Sequence, residues 1–237
     1  MHSKVVEDYL KAVHEIQQGN AWVKTSALAE KLAVTSGSVT DMIKRLSKTA
    51  PRLLIYRSYK GVKLTPAGER AASDVIRRHR LLETFLHQIF GFQWDEVHEE
   101  AEILEHYVSE RLTDAIDAYL KHPRYDPHGE PIPRKGETAL PDLRISLVSA
   151  PLREPLRIAG IQEPAPELLR YLEEIGIRIG RTVVVLEKAP LNGPLTLRLA
   201  PSGPDRSISL ETAHHILVET VRTAETTGAS VGFGGPK

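Results

Sequence analysis

Apolar residues return every three to four positions through the first half of the chain, the spacing of helices buried along one face. In residues 4–18, Val5, Tyr9, Leu10, Val13 and Ile16 form such a stripe, and Gly19 and Asn20 end it. A short helix over 27–32, capped by Thr25 or Ser26, leads through Ala33, Val34 and Thr35 into a third helix from Ser36 or Gly37 to Ser47. Val39, Ile43 and Leu46 face inward there. This is helix–turn–helix spacing. Residues 52–57 and 61–64 read as two short strands joined through Ser58, Tyr59 and Lys60, a candidate wing. Thr65 and Pro66 then open a long helix to about Phe90, with Gly68 as its weak point and Gly91 as its end. Helical spacing resumes over 95–107 and 109–120. The apolar surface on Val97, Ala101, Leu104, Val108, Leu112, Ile116 and Tyr119 exceeds what so few helices bury alone, so a homodimer is expected.

The pattern changes after His122. Residues 122–133 hold four prolines and read as a loop or boundary, and charge and proline continue to about Pro141. Beyond it, 155–158, 182–186, 195–199 and 207–210 read as strands and 167–174 as a helix, separated by Asn-Gly-Pro and Ser-Gly-Pro turns that suit a small β-barrel. The expected fold is mainly α with a C-terminal all-β domain. Residues 1–73 form a winged helix-turn-helix DNA-binding domain, 74–141 a helical dimerisation and metal-binding domain, 150–223 a small β-barrel and 224–237 a flexible tail.

Composition narrows the function. The 237 residues contain no cysteine, which excludes disulfides, thiolate zinc sites, iron–sulfur clusters and cysteine nucleophiles. No apolar run reaches the roughly 18 residues that span a bilayer. The start lacks the apolar segment of a signal peptide, so a cytoplasmic protein with no membrane partner is expected. Formal net charge is zero, but residues 1–73 hold twelve Lys or Arg against six Asp or Glu, while residues 93–117 hold nine acids against Arg111. A basic module precedes an acidic one, as expected where the first meets phosphate and the second meets cations.

Two constellations carry chemistry. At the leading end of the third helix, Thr35, Ser36, Gly37, Ser38 and Asp41 are placed to reach base edges, with Lys44, Arg45, Arg57 and Lys60 as phosphate contacts. The bland reading is that Ser36 and Ser38 merely cap the helix and the basic residues form a solvated face. The second constellation is Glu102, Glu105 and His106, at i, i+3 and i+4 on one helix face, with Asp8 as a candidate fourth ligand. Oxygen and nitrogen donors without sulfur favour manganese or iron(II). Taken alone, the group leaves metal binding and a solvated acidic helix both open.

Several segments in order resemble the diphtheria toxin repressor and manganese transport regulator family. They are Glu7-Asp8-Tyr9-Leu10, Leu64-Thr65-Pro66-Ala67-Gly68, Arg78-His79-Arg80-Leu81-Leu82-Glu83, Val97-His98-Glu99-Glu100-Ala101, Glu105-His106 and His128-Gly129-Glu130-Pro131-Ile132-Pro133. The last third, through Gly176-Ile177-Arg178-Ile179-Gly180, is similar to the FeoA-like domain of many members. The resemblance implies a homodimeric repressor that binds double-stranded operator DNA when loaded with manganese(II), or alternatively iron(II), and needs no small organic ligand. It implies a primary site of Asp8, Glu102, Glu105 and His106. A second site is implied at His79, Glu83 and His98, completed by Asp126, His128 and Glu163. Glutamate at 102, where iron-sensing members have cysteine, points to manganese. Lys11 stands where some two-domain members have a ligating glutamate, which leaves its ammonium either to pair with a carboxylate of the empty site or to remain solvated, and two separated sites per subunit are expected. In the empty site, repulsion among Asp8, Glu102 and Glu105 disfavours closure.

Two other classes compete. A metal-dependent hydrolase would use the same residue types, but Glu102 to His106 lacks the first histidine of an H-x-x-E-H peptidase helix. A regulator sensing an organic molecule, with an incidental acidic cluster, would bind DNA regardless of chelators.

Overall fold

The computed structural model describes residues 3–17, 21–138, 144–162 and 165–221. Helices α1 (Lys4–Ile16), α2 (Thr25–Lys31) and α3 (Ser36–Leu46) precede a hairpin of β1 (Leu54–Arg57) and β2 (Gly61–Leu64). Their shared core includes Tyr9, Leu10, Val13, Leu28, Val39, Ile43, Leu46, Leu54 and Val62. The third helix begins one residue later than its cap: Thr35, not Ser36, accepts from the Ser38 amide at 3.2 Å. The hairpin pairs Leu54 with Leu64 through Arg57 with Gly61, and Tyr59 at its tip is fully exposed.

Helix α4 (Pro66–Phe85) continues as one π-helical turn, Leu86–Phe90, which Gly91 ends at φ 72°. That conformation suits a residue without a Cβ. Gly68, the weak point of the pattern, has a packing reason instead: a Cβ there would meet the Leu53 carbonyl oxygen at 2.0 Å. Helices α5 (Val97–Leu104) and α6 (Glu110–Tyr119) pack on α4 around Leu81, Leu82, Ala101, Val108, Ile116 and Ile132. Phe90, Ile103, Tyr107, Leu112 and Tyr119 stay exposed on this region.

The C-terminal part holds β3 (Ile145–Ser146), β4 (Pro155–Ile161), α7 (Pro166–Glu174), β5 (Thr182–Lys188), β6 (Leu195–Leu199), β7 (Asp205–Ile208), α8 (Leu210–His215) and β8 (Ile216–Thr220). All pairings are antiparallel, in the order β3-β8-β4-β5-β6-β7, with register shifts at Ile158/Gly160 and Val185/Glu187. The expected barrel is thus an open sheet in its hydrogen bonding, since β3 and β7 do not pair among the described residues. Its core is separate from the other two, yet Trp94, from the segment before α5, packs against it. Among the described residues, no helix is long and apolar enough to cross a membrane. The expected tail at 224–237 lies outside the described residues.

Two glycine substitutions separate these roles. Gly68→Ala drives a methyl into a backbone oxygen and is expected to cost roughly 1–3 kcal/mol of stability. Gly37→Ala meets nothing nearer than Thr35 Oγ1 at 3.8 Å and is expected to stabilise α3 by up to about 1 kcal/mol. Urea denaturation of both variants checks this, and equal effects would contradict it.

Candidate metal centre

Three helices and two loops bring the acidic and imidazole groups together. Helix α1 contributes Glu7, Asp8 and Lys11; α4 contributes Arg78, His79 and Glu83; α5 contributes His98 and Glu102. Helix α5 stops at Leu104, and Glu105 and His106 lie in the turn that follows. The expected triad on one helix face is therefore divided. Ligand atoms of Asp8, Glu105 and His106 come within 4.8 Å of one another, while Glu102 groups with His79 and Glu105 instead. Glu102 is 41% exposed, Glu105 wholly buried.

His106 is the most informative residue. Its Nδ1 bonds the buried Glu7 carboxylate at 2.8 Å, and the other Glu7 oxygen takes Arg78 at 2.8 Å. Arg78 Nε also donates to the Glu105 carbonyl at 2.9 Å. As a neutral imidazole donating from Nδ1 to Glu7, His106 would present the lone pair of Nε2. Nε2 is buried without a hydrogen-bond partner, 3.0 Å from Asp8 Oδ1 and 3.4 Å from Glu105 Oε1. An imidazole nitrogen and two carboxylate oxygens converging in this way can serve as a donor set for a cation. Sequence reasoning missed Glu7 and Arg78; the available signal was an acid and a base beside ligand positions, each flanking an apolar stripe.

Lys11 enters the same array. Its ammonium is 2.6 Å from Glu102 Oε1, 3.2 Å from Glu105 Oε2 and 3.3 Å from His79 Nδ1. Burial opposes its charge, but Glu105 and Glu102 outweigh burial and hold its pKa above the ordinary value. Burial likewise raises the Glu102 pKa, yet Lys11 prevails and the net shift is downward. Asp8 is shifted up, chiefly by burial.

The second expected site resolves into two groups that share Glu83: His79, Glu83 and His98, and Glu83, Asp126 and His128. His79 Nε2 lies 2.9 Å from Glu83 Oε1, His98 Nδ1 3.0 Å and His128 Nδ1 3.6 Å from that same oxygen. Asp126 Oδ1 accepts the backbone amides of His128 and Glu130 at 2.8 and 2.9 Å, while its buried Oδ2 has no hydrogen-bond partner. Glu163 lies outside the described residues. Burial works against a charged His79, but Glu83 and Glu105 bring its pKa up to about 9. His128 also reaches about 9 against burial, through Glu83 and Asp126. Burial, then Glu83 and Glu130, pushes Asp126 up to about 8. Burial opposes ionised Glu83, yet His79 and its hydrogen bonds hold it well below the usual range.

On the candidate DNA face, Thr35, Ser36, Gly37, Ser38, Asp41, Lys44, Arg45, Arg57 and Lys60 are all exposed. Thr35 and Ser38 bond each other at 2.9 Å, and Thr40 Oγ1 donates to the Ser36 carbonyl at 2.8 Å. Arg57 stacks 5.3 Å from the Trp22 ring.

Three family descriptions match successive parts of the chain: "Iron dependent repressor, N-terminal DNA binding domain" over residues 1–62, "Iron dependent repressor, metal binding and dimerisation domain" over 65–134, and "FeoA domain" over 145–220. A solved manganese-dependent transcriptional repressor in complex with manganese is 35% identical, with TM-score 0.82, over 91% of this chain and 100% of that one. The chain belongs to the iron-dependent repressor family of metal-dependent transcriptional regulators. Other members are similar along different lengths. ScaR with bound Zn2+ is 33% identical with TM-score 0.78, covering 91% of this chain and 99% of that one. The diphtheria toxin repressor of Corynebacterium diphtheriae is 27% identical over 90% of this chain and 96% of its own length. The regulator MntR of Bacillus pumilus is 34% identical over 49% and 78%.

The raised pKa values predict how this repressor responds to pH without metal. Above pH 6.5, and up to about 9, the folded chain retains protons on His79 and His128 that the unfolded chain releases. Asp126 does the same between 3.8 and about 8. The folded state binds more protons throughout, so its stability falls as pH rises through this window. Chemical denaturation of chelator-treated protein should show a lower midpoint at pH 9 than at pH 6.5; a flat or rising profile would contradict the assignment.

Proposed function

We propose that this chain is a homodimeric, manganese(II)-responsive repressor whose affinity for operator DNA is set by cations held between α1 and the turn after α5. The observation that carries the proposal is His106 Nε2, buried without a hydrogen-bond partner and facing Asp8 and Glu105 while Glu7 saturates Nδ1. In this reading Asp8, Glu105 and His106 form the primary site, and Glu102 joins by leaving Lys11. His79, Glu83, His98, Asp126 and His128 form the second site, with Glu163 as a further ligand. The division of labour follows residues 1–73, 74–141 and 150–223. Oxygen and imidazole donors suit manganese, and a solved relative of 35% identity is a manganese-dependent transcriptional repressor. Iron(II) suits the same donors and is the second reading, favoured by the family's own description.

A divalent cation would offer Asp8, Glu105 and His106 a single centre of positive charge on which to converge. Glu7 and Asp8 belong to α1, in the DNA-binding part, whereas Glu105 and His106 belong to the helical part. Drawing them to one point clamps α1 and fixes the attitude of α3. In a dimer this sets the separation of two α3 helices, which must match major grooves about 34 Å apart. The exposed Ile103, Tyr107, Leu112 and Tyr119 support pairing of two copies through this region. Ser36, Gly37 and Asp41 then read base edges, with Lys44, Arg45, Arg57 and Lys60 on phosphate.

Fluorescence anisotropy with DNA from upstream of the chain's own gene tests this. Coupling of about 1–3 kcal/mol predicts roughly 5–150-fold tighter DNA binding on adding manganese(II) to stripped protein. His106→Ala and Glu102→Ala should lose that response while keeping the helical circular dichroism. Glu7→Gln should weaken manganese binding by about 10–100-fold, as loss of a carboxylate behind a ligating histidine does. Tight DNA binding indifferent to chelator would overturn the proposal, and a stronger anaerobic response to iron(II) would reassign the metal.

A further inference from the structure

Lys11 brings an ammonium, from a residue that is not itself a candidate ligand, against candidate ligand atoms of both clusters. Its Nζ bonds Glu102 Oε1 at 2.6 Å, Glu105 Oε1 and Oε2 at 3.3 and 3.2 Å, and approaches His79 Nδ1 at 3.3 Å. The side chain is only 11% exposed. Glu105 is the hinge of this arrangement, since Oε2 also meets His79 Nδ1 at 2.6 Å while Oε1 faces His106 Nε2. Glu102 groups with Glu105 and His79 rather than with Asp8 and His106, and its 2.6 Å contact is to Lys11.

An ammonium on a flexible stem is a cation covalently attached to the chain. Placed between two carboxylates, it relieves the repulsion that otherwise makes a closed, metal-free site unfavourable. It also opposes any second cation within a few ångström. We propose that Lys11 is a resident counter-cation that holds Glu102 and Glu105 in the metal-free protein, so that a divalent ion must take these carboxylates from it, and that this competition sets the concentration at which the primary site loads. The inference rests on the function proposed above and assigns a threshold-setting residue within it. A purely structural role for the ion pair makes a different prediction: neutralising Lys11 would weaken the fold without improving the site.

The test is isothermal titration of chelator-stripped full-length protein with manganese(II), for wild type, Lys11→Met and Lys11→Arg. The neutral variant should bind its first ion at least about tenfold more tightly, a factor that corresponds to about 1.4 kcal/mol. Lys11→Arg keeps the charge and should remain near wild type. Unchanged or weaker binding by Lys11→Met overturns the proposal, as does Lys11→Arg binding as tightly as the neutral variant. Should Lys11→Met fail to fold by circular dichroism, Lys11→Gln carries the same comparison. Wild-type protein that takes up no manganese would remove the functional reading and this inference together. Normal wild-type uptake beside an unshifted neutral variant removes only the role of Lys11.

Discussion

Between α1 and the turn after α5, Glu7 and His106 meet in a contact that joins the DNA-binding part of the chain to its helical part. Both side chains are almost fully buried, and the residues are 99 positions apart. Taking such groups out of water is costly, and a buried pair is weak evidence for stability. Its consequence is positional. Glu7 holds the imidazole in one orientation, Arg78 holds Glu7 and the Glu105 carbonyl, and Nε2 is left aimed at Asp8 and Glu105. The convergence of Asp8, Glu105 and His106 on one point depends on that orientation.

From this contact the polar array is continuous. Glu105 passes to His79, His79 to Glu83, and Glu83 to His98 and His128. His128 reaches the C-terminal domain in two ways: its Nε2 bonds the backbone oxygen of Trp94 at 2.6 Å, and its own carbonyl accepts from the Ile161 amide of β4 at 2.9 Å. Trp94 packs against that domain's core, and Arg80 holds the intervening loop through Glu130 and the Pro131 carbonyl. The open sheet thus abuts the second cluster directly. Contiguity of this kind supplies a physical route for coupling, although coupling itself is a matter of measured free energies.

Elements with sustained periodicity were legible in the sequence: α1, α3, the wing strands, the long α4, and β6 with the bounds 195–199. Short or abruptly joined elements were not. Strand β3 has two residues, and β8 follows the six-residue α8 with no turn residue between them, so neither carries a pattern long enough to read. Spacing placed Glu102, Glu105 and His106 on one helix, but α5 ends at Leu104 and Glu102 pairs with Lys11. Glu7 was hidden for a related reason. A glutamate beside an apolar stripe looks like a solvated flank, and its partner lies far away in sequence. Candidate ligand types can be read from local spacing; the shell that orients them is made of nonlocal contacts.

The central claim is that cation binding clamps α1 to the turn after α5. Amide hydrogen exchange of the full chain, with chelator and with manganese(II), measures this most directly. Slower exchange is expected both in the middle of α1, at 9–13, and at 105–108, because one set of side chains spans the two. Protection confined to 105–108, with α1 exchanging at the same rate in both conditions, would contradict it.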